Sequence, residues 1–160
     1  MKGITGMRLL VGALLGVALG ACVSGPEAGS SLAPEKAVEQ VMWDYTKAWN
    51  RHDAAAIARD FYRLGRNVEE QTAANEKTFA DLVAQGYDKS IIHEVKGCLT
   101  GADKAWAGMK FTRMKTDGKP LGPEMRASGY ELTKLPEGWR ITRMGAGGAS
   151  ADKPLECPAG

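Results

Sequence analysis

The hydrophobic spacing of this chain changes period once, near Asp88, and that single change limits the folds open to it. Before Asp88 apolar residues recur every three or four positions; after it they alternate. From Pro34, the residues Val38, Val41, Met42, Tyr45, Ala48 and Trp49 trace one face of an amphipathic helix, with Pro34 and Glu35 suited to its first turn. Asn50-Arg51-His52 breaks the pattern, and His52 reads as a surface loop residue. Asp53 is a good N-cap for a short second helix that carries Ile57 and Phe61 on one face and ends at Gly65. Asn67, followed three residues later by Glu70, opens a third helix with apolar positions Val68, Thr72, Phe79, Leu82 and Val83 and a terminator at Gly86.

In the alternating region Ile91, His93, Val95, Gly97 and Leu99 share one face of a first strand. Ala105, Ala107, Met109, Phe111 and Arg113 share a face of the second, and Thr116 to Pro120 is strong turn chemistry. A third strand covers about Met125 to Lys134, and Pro136-Glu137-Gly138 turns into a fourth from Trp139 to Arg143. Helices first and antiparallel strands after predict an α+β domain, three helices packed on one face of a curved, mainly four-stranded sheet.

The first residues read as an address. Lys2 and Arg8 precede Leu9 to Leu19, eleven residues without a charge. That length suits a signal-peptide core and falls short of the about 20 residues a bilayer span needs. Leu19-Gly20-Ala21-Cys22 resembles a bacterial lipobox, in which small residues leave the cysteine thiol open to lipidation; an ordinary signal-peptidase site and a retained anchor are the alternatives. The expectation is therefore a signal peptide at 1–21, a polar tether at 22–34, a folded domain at 35–144 and a Gly-rich tail at 145–160 that supports no core. It places the chain in the bacterial cell envelope, lipid-anchored through Cys22 and facing the periplasm, or secreted in soluble form. Cleavage before Cys22 leaves 139 of the 160 residues and removes only Lys2 and Arg8 from the 21 basic side chains, so 19 basic face 19 acidic ones. A neutral chain argues against a nucleic-acid partner. Its charge is unevenly placed: residues 89–143 carry 11 basic and 6 acidic side chains, residues 27–88 carry 7 and 11. Cys98 and Cys157 are a candidate disulfide that staples the tail to the sheet, the alternative being a buried Cys98 and an incidental Cys157.

Tyr45-Thr46-Lys47-Ala48-Trp49-Asn50 with Asp53-Ala54-Ala55-Ala56-Ile57-Ala58 resembles the opening helix pair of the nuclear transport factor 2-like (SnoaL-like) superfamily. Ala105-Trp106, Phe111-Thr112-Arg113, the Thr-Asp-Gly-Lys turn, Gly129-Tyr130-Glu131-Leu132 and Gly138-Trp139-Arg140-Ile141 resemble its later strands. The resemblance covers roughly Glu35 to Met144. It implies a cone with a pocket between helices and sheet, and often a homodimer through the sheet's outer face. Most members also place two short strands between the second and third helices. Tyr62 to Asn67 leaves no room for them, so the pocket is expected to be more open or differently lidded.

Pocket candidates on this reading are Tyr45, Trp49, Tyr62, His93, Met109, Phe111, Arg113 and Tyr130. His93 is the weak catalytic candidate, since imidazole can exchange protons near neutral pH. Arg113 and Arg143, at the ends of otherwise apolar faces, could each hold a carboxylate. Two histidines without CxxC or HExxH spacing give no basis for a zinc site, and nothing calls for a cofactor. The leading expectation is a non-catalytic binder of a small apolar or anionic ligand or of a protein partner. A SnoaL-like lyase or isomerase and a purely structural envelope lipoprotein are the alternatives.

Overall fold

Pro34 opens helix α1 (Pro34–Asn50), where a missing N–H costs nothing; Ala33 before it offers no side-chain cap. The computed structural model describes residues 32–159, so Cys22, the signal-like segment and all but the last residues of the tether lie outside them. α1 lays Val38, Met42, Tyr45 and Ala48 onto the sheet, as its spacing predicts, and buries Thr46 as well. Its C-terminus is pinned by Asn50, whose amide donates to the Ser90 carbonyl (2.9 Å) and accepts from the Ser90 N–H (2.8 Å). His52 is not a free loop residue: with a left-handed φ of 52° it stacks between Phe79 and Tyr87, at centroid distances of 5.0 and 5.6 Å.

Helix α2 (Ala54–Ala56) is capped by the Asp53 carboxylate and widens into a π-helical turn (Ile57–Phe61) closed by Tyr62 N–H on the Ile57 carbonyl. Asn67 caps helix α3 (Val68–Val83) by accepting from the Glu70 N–H at 2.8 Å. The buried stripe of α3 is Gln71, Asn75, Phe79 and Leu82; Val68 and Val83 stay 40% and 50% exposed. A polar pair accounts for the difference from the apolar pattern. Gln71 donates to Asn75, and Asn75 donates to the Ala54 carbonyl (3.1 Å), which ties the pair to α2 while the Gln71 side-chain oxygen stays buried without a partner.

The four strands pair antiparallel in chain order: β1 (Tyr87–Gly101), β2 (Lys104–Lys115), β3 (Arg126–Leu135) and β4 (Gly138–Ala146). Helices and the sheet's inner face enclose one core that includes Ala105, Ala107, Met109, Phe111, Tyr130, Leu132 and Ile141. In β1 the strict alternation fails. The β1–β2 register slips between Ile92 and Glu94, leaving His93 as an unpaired bulge residue. Ser90 and Ile92 before the bulge, and Val95 and Gly97 after it, face α1; Ile91 and His93 face outward.

The Gly-rich tail does contribute to packing. Cys98 and Cys157 form a disulfide with Cα atoms 5.8 Å apart. Leu155 is 2% exposed, and the Trp106 indole donates to the Gly147 carbonyl at 2.8 Å. A second small core of Cys98, Trp106 and Ala146 thus forms on the sheet's outer face, beneath residues expected to bury nothing. No helix among the described residues is long and apolar enough to cross a membrane.

Candidate functional site

Between the C-terminal half of α1 and the inner face of the sheet lies a cavity of about 80 Å³. Its wall is made by Tyr45, Thr46 and Trp49 from α1, Ser90 from β1, Met109, Phe111 and Arg113 from β2, Ser128 and Tyr130 from β3, and Met144 from β4. Three alternate positions of β2 point one way, so Met109 and Phe111 form an apolar floor that ends in a guanidinium. Arg113 belongs to no ion pair among the described residues, and its Nε is buried without a hydrogen-bond partner. Among the described residues no carboxylate and no imidazole lines the cavity.

Apart from the Arg113 guanidinium and the Trp49 indole, its polar side chains are hydroxyls. Burial pushes the Tyr130 hydroxyl up to about 12, against smaller opposing effects of the Ser128 hydrogen bond and the Arg113 charge. Burial, reinforced by the neighbouring tyrosines, raises Tyr45 well above the ordinary phenol range. Tyr62 is raised too, chiefly by burial, and its hydroxyl lies 2.8 Å from that of Tyr45. These phenols stay protonated at neutral pH and serve as hydrogen-bonding groups. Tyr45 also packs against Trp49, Phe61 and Tyr130, with ring centroids 5.8, 5.9 and 6.1 Å away, which fixes its place in the wall.

Six of the eight pocket candidates line this cavity: Tyr45, Trp49, Met109, Phe111, Arg113 and Tyr130. Tyr62 stands behind Tyr45 and lines a separate cavity of about 410 Å³ beside the α2–α3 connection. His93 lies on the opposite face of the sheet, because the bulge turns it outward. There its Nε2 sits 2.7 Å from the Thr112 hydroxyl, which donates to the Glu124 carbonyl, so the imidazole N–H is the donor. Arg143 also leaves the site: opposite Glu131 on the outer face, it pairs with that carboxylate at 2.9 Å. Thr46, Ser90, Ser128 and Met144 complete the wall and are absent from the apolar pattern. Ser128 had a readable signal, since it stands two residues before the inward Tyr130.

No family model matches the sequence, and no curated protein matches it. Solved structures do. A nuclear transport factor 2-like protein with a cystatin-like fold from Novosphingobium aromaticivorans superposes with a TM-score of 0.55 at 16% identity, over 68% of this chain and 77% of that one. A domain with a cystatin-like fold from Nostoc punctiforme gives 0.56 at 18% identity, over 79% and 82%. A nuclear transport factor 2-like superfamily protein from Salmonella enterica gives 0.52 at 14%, over 78% and 95%. The fold is nuclear transport factor 2-like. At these identities the likeness is one of architecture, and the site has to be read from its own residues. In this nuclear transport factor 2-like domain no strand separates α2 from α3 among the described residues. The short connection is instead held to the sheet by Arg63 N–H on the Ile141 carbonyl (2.9 Å) and by a parallel bridge from Tyr62 to Ile141.

Proposed function

We propose that this domain binds a small ligand with an apolar body and an anionic head, without transforming it. The observation that carries the reading is Arg113, a guanidinium at the end of an aromatic and aliphatic cavity with no acidic partner among the described residues. Removing a cation from water without a counter-charge is costly, and a bound carboxylate or similar oxyanion offsets that cost. Ser90, Ser128 and Tyr130 supply neutral hydroxyls around the head, while Tyr45, Trp49, Met109 and Phe111 enclose the body. A cavity of about 80 Å³ suits a body the size of a short acyl chain.

A binding role is favoured over lyase or isomerase chemistry because, among the described residues, the wall is made without a carboxylate or an imidazole. His93, the one imidazole the alternative invoked, faces away from the cavity. We further propose that the chain works at a bacterial membrane, held by lipid on Cys22 and facing the periplasm. The lipobox-like Leu19-Gly20-Ala21-Cys22 and a disulfide suited to an oxidising compartment support that placement.

Thermal unfolding with butyrate tests the binding reading. The expected result is a saturable rise in Tm for the wild type that is lost in Arg113→Met; butyrate without effect on the wild type contradicts it.

A further inference from the structure

Arg126 stands on β3 directly opposite Phe111, and Arg113 lies two residues farther along β2. Residues paired across antiparallel strands point to one face, and diagonal neighbours are within reach of long side chains. Arg126 also precedes Ser128 by two residues, so it shares the inward face of that wall residue. Arg113 thus lines the end of the cavity and Arg126 stands next to it on the same face of the sheet, and neither belongs to an ion pair among the described residues.

Arg126 is held in place. Its Nη2 donates to the Leu121 carbonyl at 3.0 Å, while its Nε, like that of Arg113, is buried without a partner. The β2–β3 loop can close over it because residue 122 is glycine: φ is +80°, and a Cβ there would lie 2.5 Å from Arg126 Nη2. Thr112 and Arg113 tie the loop down, through the Glu124 carbonyl and the Leu121 N–H. Burial and the Arg113 charge both disfavour the charged form of Arg126. Two like charges held near each other in this way are relieved most by an anion carrying more than one negative charge.

We infer that Arg126 is a second head-group residue, and that the preferred ligand is a short-chain phosphate monoester or an equivalent dianion rather than a monocarboxylate. This rests on the ligand-binding reading of the Arg113 cavity and names its ligand class. A monoalkyl phosphate near pH 8 is doubly charged and offers three acceptor oxygens, enough for two forked guanidiniums. A carboxylate satisfies one.

Calorimetric titration of the whole chain at pH 8 with butyl phosphate, butyrate and butanol, which share one body and differ in the head, tests the assignment. The wild type is expected to bind butyl phosphate about tenfold more tightly than butyrate, and butyrate more tightly than butanol. In Arg126→Gln the phosphate preference is expected to shrink to about twofold or less, and Arg126→Lys restores it in part. Equal wild-type affinities for butyl phosphate and butyrate, or an unchanged preference in Arg126→Gln, overturn the role of Arg126. Butyrate binding no better than butanol overturns the Arg113 reading itself, which is a separate outcome.

Discussion

Arg113 is a half-buried charge with no acidic partner among the described residues. Its Nε makes no hydrogen bond, and its neighbours Tyr45, Tyr130 and Phe111 offer no compensating charge. Arg113→Met fills the same wall with an apolar chain, so urea unfolding is expected to show the unliganded variant more stable by ~1 kcal/mol. A loss of stability contradicts the view of Arg113 as a residue held for its ligand. The buried phenols give a second outcome at this scale. Unfolded tyrosine ionises near pH 10, whereas folded Tyr130 holds its proton up to about 12. Above pH 10 the unfolded chain therefore binds fewer protons, and stability falls as pH rises from about 10 to about 12, by roughly 2–3 kcal/mol for Tyr130. Unfolding free energies measured across that range are expected to decline less in Tyr130→Phe. Glycine 129 belongs here too: a Cβ on it would lie 2.1 Å from the Ala146 carbonyl oxygen. Gly129→Ala is expected to lose about 1–3 kcal/mol in urea unfolding, because the Ala146 backbone it would meet is paired in the sheet and cannot easily retreat.

Among the elements, the tail and β1 are where structure departs most from periodicity. The Cys98–Cys157 bridge spans 59 residues of sequence, worth about 4 kcal/mol in the loop-entropy view. Cys157→Ser is expected to lose stability of that order and to make Trp106 quenchable by acrylamide, since Leu155 and the Gly147 carbonyl no longer cover its ring. An unchanged, shielded Trp106 contradicts a disulfide-held tail. The staple that holds the tail was legible in its one cysteine, whereas the burial of Leu155 was not, because a single apolar residue makes no pattern. The three helices and four strands were legible, because caps such as Asp53 and Asn67 and turns such as Thr116 to Pro120 mark their ends. The face of β1 was not. A bulge adds one residue without altering composition, so His93 at the bulge turns outward and the pocket's Ser90 before it moves to the inner face. On β2, which has no slip along its β3 partner, the inward set of Ala105, Ala107, Met109, Phe111 and Arg113 was readable in full.

At the scale of the whole molecule, charge divides the chain more sharply than its totals suggest. Residues 89–143 hold 11 basic side chains against 6 acidic, and both Arg113, which lines the cavity, and Arg126, paired with Phe111 on the next strand, belong to that surplus. The residues before Leu32 carry the proposed anchor. Cys22→Ser is expected to move the protein from the membrane fraction to the soluble one, and intact mass is expected to show an acylated, processed N-terminus only in the wild type. An unmodified Cys22 in wild-type protein contradicts the anchoring proposal. The central claim, that Arg113 holds the head of a small anion at the end of an aromatic and aliphatic cavity, is tested most directly by NMR of the arginine Nε–Hε and tryptophan indole signals during titration with butyrate. The expected result is saturable movement of the Arg113 and Trp49 signals, with Trp106 on the opposite face of the sheet unmoved. An unmoved Arg113 signal, or movement confined to Trp106, contradicts it.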